Sequence, residues 1–181
     1  MFRWRLVLHC TSCDHAKVIE EFLRSHGITF TRFDHPAVFT CEESALLPAM
    51  PGASTKNLFI YDPRTDTHAL VVVGHEKRVD LKALKTMLGW SKITFASPER
   101  LKKLLGVEPG SVTILGLMHD TDHAVAVYFD MSIAEAQSLQ CHPLVNTATL
   151  VISQEGIARF LEATGHTGQV IAVPVRESYE V

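Results

Sequence analysis

Cys141-His142-Pro143-Leu144-Val145-Asn146-Thr147-Ala148-Thr149 runs directly into Leu150-Val151-Ile152. The last three residues are an apolar run that reads as a buried strand. The stretch before them does not continue a helix, because a proline ring disfavours helical geometry at the residue ahead of it. Pro143 also lacks the N–H that a sheet ladder needs. The result is a stiff loop feeding a core strand, and it carries an imidazole, an amide and two hydroxyls. Rigid loops at strand ends are common places for binding and catalytic groups. Two readings stand side by side here: His142 and Asn146 as members of a site, or His142 as a turn residue and Asn146 as a local cap.

Working outward from this loop, Ser132 and Glu135 have capping-box spacing and predict a short helix just before it. After it, Ser153 caps a helix carrying Ile157, Phe160 and Leu161, which Gly165 ends. Val170 to Val173 is the last strand. Upstream, Val112 to Met118 and Ala124 to Phe129 read as two strands around His119-Asp120-Thr121-Asp122-His123, a hairpin. Ser97-Pro98-Glu99 opens a helix with Leu101, Leu104 and Leu105, ended by Gly106. Asp80 caps another, with Leu81, Leu84 and Leu88, stopped by Gly89. Asn57 to Tyr61 and His68 to Val73 form a hairpin across Asp62-Pro63-Arg64-Thr65-Asp66. Thr40 and Glu43 make a further capping box. Ile28 to Phe33 alternates as a half-buried strand. Before it, Asp14 caps a helix whose stripe is Val18, Ile19, Phe22 and Leu23, ended by Gly27. Paired strands interleaved with helices predict an α+β fold: a single domain with a mixed, mostly antiparallel sheet flanked by helices. The expected boundaries are an N-terminal arm over 1–13, the domain over 14–175 and a polar tail over 176–181.

The composition sets limits on function. The chain has 181 residues, 46% hydrophobic and 20% charged, which suits a domain with a full apolar core. No apolar run approaches the roughly 20 residues of a membrane span, and the start lacks a signal-peptide core, so the expected location is cytoplasmic. The net charge of -3 excludes a broad electrostatic grip on nucleic acid. Cys10 and Cys13 form a single CxxC pair without the second pair of a structural zinc site. His119 and His123 flank a turn rather than share a helix face, so their spacing gives no metal pair. No cofactor or metal is expected. There is no nucleophile elbow, Walker loop or GxGxxG. Cys141 and His142 are adjacent on an extended segment, where neighbouring side chains point opposite ways, which counts against a thiol–imidazole pair.

What remains is Gly52-Ala53-Ser54-Thr55-Lys56-Asn57, a loop that delivers a lysine and an amide to the start of an apolar strand. Lys56 suits a phosphate or a carbonyl oxygen as a compact cation; the alternative is a solvated lysine at a strand end. Gly116 within an apolar run suggests a close approach of a ligand or another chain, or else a bulge.

Taken together, the chain resembles the YbaK/ProX family of trans-editing aminoacyl-tRNA deacylases, over about Phe33 to Gly165. The markers, in order, are Asp34-His35-Pro36-Ala37-Val38-Phe39-Thr40, Glu42-Glu43, Pro51-Gly52-Ala53-Ser54-Thr55-Lys56-Asn57-Leu58-Phe59, Val79-Asp80-Leu81-Lys82-Ala83-Leu84, Phe95-Ala96-Ser97, Gly106-Val107-Glu108-Pro109-Gly110-Ser111-Val112-Thr113 and His142-Pro143-Leu144-Val145-Asn146-Thr147-Ala148-Thr149. Within the family it is most similar to the free-standing ProX branch, which includes the ProXp-ala type.

The resemblance implies hydrolysis of the ester between a wrong amino acid, alanine or another small one, and tRNA(Pro), with no metal and no covalent enzyme nucleophile. Lys56, Asn57 and His142 would be the catalytic set. Thr55, Gly116, Leu117, Pro143, Leu144 and Asn146 would line the substrate pocket. The attacking water would be assisted by the ribose hydroxyl of the substrate itself. The partners implied are the aminoacylated tRNA 3′ end and prolyl-tRNA synthetase; Lys77, Arg78, Lys82 and Lys85 are candidates for further RNA contact, or else form a solvated face. A non-catalytic module that binds aminoacyl-tRNA or a synthetase is the alternative. Two positions depart from the family pattern: Ile114 stands where proline is usual, and His119-Asp120 where Asn-Asp is usual. The first bears on which amino acid is removed, since a methyl group or two is worth only about 1–3 kcal/mol of discrimination.

Overall fold

The computed structural model describes residues 11–38 and 48–176. The capping box expected at Thr40 and Glu43, Cys10 and most of the arm lie outside them. The chain opens with helix α1, Thr11–Ser25. Asp14 lies inside this helix rather than at its cap. Ile19 and Leu23 are fully buried while Val18 is exposed, so the apolar stripe is narrower than the sequence suggests.

Strand β1 (Phe30–Asp34) follows, then β2 (Thr55–Asp62) and β3 (Thr67–Gly74). Helix α2 (Leu81–Met87), strand β4 (Thr94–Phe95) and helix α3 (Pro98–Leu105) lead to a 3-10 helix over Ile114–His119. Then come β5 (Val125–Asp130), α4 (Met131–Ala134), β6 (Ser138–Cys141), β7 (Ala148–Ser153), α5 (Gln154–Ala163) and β8 (Gly168–Ile171).

The strands make a three-stranded sheet in the order β1-β7-β6 and a five-stranded sheet in the order β4-β2-β3-β5-β8. Among the described residues, the strands pair antiparallel except β3 with β5 and β5 with β8. Mixed and mostly antiparallel, the sheets agree with the α+β expectation. The expected β2–β3 hairpin forms, with Lys56 opposite Val73 and Asn57 opposite Val72. Strand β3 is central, so Ala69 to Val73 are buried on both faces. Its alternation separates two cores. Leu70 and Val72 face the larger one, with Phe59, Leu139, Leu144 and Phe160; Ala69, Val71 and Val73 face the smaller, with Ile60, Leu84 and Val173.

Three expectations are corrected. Val112 to Met118 is not a strand: Thr113 accepts from the Leu115 N–H, and Gly116 N–H donates to the Thr113 carbonyl, which winds a 3-10 helix. A short apolar run does not tell strand from buried helix by periodicity. The second hairpin therefore does not exist, and β5 joins β3 in parallel. Its turn is held by buried Asp120, which accepts from the N–H groups of Ala124 and Val125 and contacts His166 Nε2 at 3.1 Å. His119 ends the 3-10 helix and packs its ring over Gly106, where a Cβ would lie 2.5 Å away. Finally, Ser132 does not cap α4. Asp130 occupies the cap position and accepts the Ser132 hydroxyl, because that carboxylate also binds Lys77 and the Val173 N–H.

Candidate active site

Strand β6 was not anticipated, and it organises the site. Its four residues lead directly into the His142 loop, and its other edge reaches the segment before β2. Ala53 N–H donates to the Ser138 carbonyl at 2.8 Å, and Gln140 N–H donates to the Ala53 carbonyl at 3.0 Å. The Thr55 hydroxyl donates to the Gln140 carbonyl at 2.8 Å. Thr55 and His142, far apart in sequence, are thereby brought to one strand end.

The His142 loop is tied on its other side to the residues after β1. His35 N–H donates to the Thr147 carbonyl, and Val38 N–H to the Asn146 carbonyl, both at 3.0 Å. Asn146 Nδ2 returns a bond to the Val38 carbonyl at 3.1 Å. Asn146 thus clamps two loops together. The ring of His35 completes the seam. The Pro36 carbonyl, 2.8 Å from Nδ1, can only accept, so Nδ1 carries a hydrogen; Nε2 pairs with the Thr149 hydroxyl at 3.0 Å. The ring centroids of His35 and His142 are 6.4 Å apart. Sequence reasoning did not place His35 beside His142. The signal was the repeated His-Pro step: His35-Pro36 and His142-Pro143 meet in space.

Burial sets the charge state here. Desolvation, with a lesser contribution from His35, pushes the His142 pKa down to about 4. Burial pushes the Cys141 thiol up to about 12. A neutral imidazole and a protonated thiol give the loop polarity without a strong base or nucleophile. Leu144, 4% exposed, holds φ at 63°. A left-handed leucine costs on the order of 1–3 kcal/mol, a strain that tends to collect at functional loops.

Lys56 and Asn57 open β2, and strand alternation sends their side chains to opposite faces. Asn57 shares its face with Thr55 and Phe59, toward β6; Lys56 shares its face with Leu58 and Ile60. The Asn57 Oδ1 atom is buried with no hydrogen-bond partner, an arrangement that costs about 1–3 kcal/mol. Gly116 and Leu117 sit apart from these groups in the 3-10 helix. The close approach expected at Gly116 is made by α3: a Cβ there would lie 2.9 Å from the Leu105 Cβ. Leu117 is 1% exposed in the larger core, and so is Ile114. Lys77 is not free for RNA, since its Nζ lies 2.6 Å from the buried Asp130 carboxylate. Beside the site, Pro48, Met50, Gly52, Ser54, Gly74 and Gln140 help line a cleft of about 490 Å³. Among the described residues no group of three His, Cys, Asp or Glu side chains is placed to hold a metal ion, and no helix is long and apolar enough to cross a membrane.

The sequence pattern of the aminoacyl-tRNA editing domain matches residues 35–160, which span both halves of this site. The chain belongs to the aminoacyl-tRNA editing domain family. Prolyl-tRNA editing protein ProX of Acetoanaerobium sticklandii is 34% identical over 145 residues, covering 80% of this chain and 88% of that protein. Prolyl-tRNA synthetase associated domain-containing protein 1 of Danio rerio is 35% identical over 164 residues, 88% of each chain. A solved structure described as a candidate trans-editing enzyme for prolyl tRNA synthetase superposes with a TM-score of 0.66 at 21% identity, covering 91% of this chain and 98% of that one; it supports the fold. Editing domains act on aminoacyl-tRNA, and the chemistry of this one is hydrolysis of the aminoacyl ester, a deacylase activity.

Proposed function

We propose that this editing domain removes a small non-cognate amino acid, alanine before others, from tRNA(Pro). Proline enters through the relatives, one of which is a prolyl-tRNA editing protein. What supports the mechanism is the setting of Cys141 and His142: the thiol is buried at 2% exposure, which pushes its pKa up to about 12, and desolvation of the half-buried imidazole pushes its pKa down to about 4. Neither group is a nucleophile or an effective base at neutral pH, so the reading assigns the attack to water, assisted by the neighbouring ribose hydroxyl of the substrate. The protein then contributes positioning and charge. Lys56 anchors the terminal phosphate or polarises the ester carbonyl. Asn57 offers its unpartnered Oδ1 to a substrate donor. His142, Pro143 and Leu144 shape the pocket with Thr55, and Asn146 holds its wall. Gly116 and Leu117, packed in the 3-10 helix against α3 and the larger core, take no direct part in this reading. Prolyl-tRNA synthetase is the partner that fits, because the synthetase makes the error, and a cytoplasmic location goes with it.

The test is a panel of tRNA(Pro) charged with Ala, Ser, Thr, Cys or Pro, with loss of the ester followed over time. The expected result is turnover of Ala-tRNA(Pro) and sparing of Pro-tRNA(Pro). Binding of the charged tRNA without any ester loss would favour a non-catalytic module instead.

A further inference from the structure

One polar side chain beside the site makes more contacts than any strand residue needs. Gln140 Nε2 lies 3.1 Å from the Met50 carbonyl, 3.2 Å from that of Pro51 and 3.1 Å from that of Gly52. Three successive carbonyls, some 90 residues away in sequence, converge on one amide nitrogen. A primary amide has two N–H groups, so three acceptors share two hydrogens. Three carbonyl dipoles aimed at one point would repel one another without a donor between them.

The rest of the strand makes the same connection. Gly52, at φ 83°, packs so closely that a Cβ would fall 2.8 Å from the Ser138 hydroxyl oxygen. The Gln140 main chain bonds Ala53 and Thr55. The segment held in this way ends at Lys56 and Asn57, and Gln140 itself stands two residues before His142. It is therefore the joint between the two halves of the site.

We propose that Gln140 is a positioning residue for the deacylation, fixing the Met50–Thr55 segment, and through it Lys56 and Asn57, relative to the His142 loop. This rests on the hydrolase reading above. Gln140 does not touch the reacting atoms. It acts by supplying hydrogen to the three carbonyls, so donor character matters more than shape. That separates it from a residue that merely fills space.

Three variants read this. Gln140→Glu keeps the length but puts an acceptor against three acceptors. Gln140→Leu keeps bulk and supplies nothing. Gln140→Lys brings an ammonium with three donors. The expected outcome is a fall in kcat of roughly 10- to 100-fold for Gln140→Glu and Gln140→Leu, of the size that an ångström-scale misplacement produces, with KM changed less than kcat. Gln140→Lys restores most of the rate. Hydrogen exchange should show faster exchange at the Ala53 amide in the Glu and Leu variants, with the β3 amides unaltered. Rates within twofold of wild type in all three would overturn the proposal. So would losses in all three, Lys included, that merely track a lower melting temperature. A wild-type protein that cleaves no aminoacyl ester would instead remove the hydrolase reading; the exchange measurement then still decides whether Gln140 fixes the segment.

Discussion

The imidazole of His142 lies with its centroid 6.4 Å from that of His35, the rings tilted by 51°. Both histidines precede prolines, and both belong to loops that the Asn146–Val38 bonds hold together. Both rings are half-buried; desolvation of His142, with a lesser push from His35, lowers its pKa to about 4.

A neutral His142 does not titrate between pH 5.5 and 8, so it adds no inflection to kcat there. The profile of His142→Gln should keep the wild-type shape at a lower rate. An inflection near pH 6.5 that vanishes in His142→Gln would mean a titrating base.

The same pKa has a consequence for stability. Its folded value, about 4, lies below the ordinary 6.5. Between these values the unfolded chain binds a proton that the folded chain refuses, so stability falls with acidification. The loss begins as pH drops through about 6.5 and is complete below 4. Its ceiling is about 3 kcal/mol at 1.36 kcal/mol per pH unit. Urea midpoints at pH 7 and pH 4.5 should fall less in His142→Gln than in wild type. Equal falls would contradict the assignment.

Gly116 tests the corrected reading of the 3-10 helix. A methyl group there meets the Leu105 Cβ at 2.9 Å and the Leu105 carbonyl oxygen at 3.0 Å, and both belong to a packed helix. Gly116→Ala should destabilise by about 1–3 kcal/mol, as overpacking does. Equilibrium urea unfolding measures it, and an unchanged midpoint would show that α3 yields.

Half-buried Lys77 pairs with buried Asp130 at 2.6 Å, their side chains 20% and 2% exposed. Removing Lys77 alone leaves a buried carboxylate facing only Ser132 and the Val173 N–H. Lys77→Ala should cost about 3–5 kcal/mol, and Lys77→Met combined with Asp130→Leu should recover much of it. If the Asp130 pairing keeps the Lys77 ammonium from phosphate, the salt dependence of tRNA binding is unaltered in the double variant. A shallower slope would return it to the RNA surface.

What the sequence disclosed follows the range of the interactions. The β2–β3 hairpin was legible because alternation and a turn are local, and α3 because Ser97, Pro98 and Gly106 mark both of its ends. Val112 to Met118 was misread because the Thr113 cap competes with an apolar run that looks the same in a strand. Strand β6 escaped notice because Ser138-Leu139-Gln140-Cys141 is too short for a period; it is a strand because Ala53 and Leu150 flank it. In the site, Lys56, Asn57 and the His142 loop stood out as residue types on stiff loops. The bonds from Gln140 to Met50 and from His35 to Thr149 join positions 90 and 114 apart, and no local pattern encodes them.

In the proposed deacylation Lys56 supplies the charge. The most direct measurement is single-turnover hydrolysis of Ala-tRNA(Pro) by wild type, Lys56→Ala and Lys56→Arg, each shown to be folded by circular dichroism. Wild type should release alanine, Lys56→Ala should be slower by about 10²–10³-fold, the usual cost of one charge-stabilising group, and Lys56→Arg should fall between them. Hydrolysis by Lys56→Ala at the wild-type rate would contradict the account.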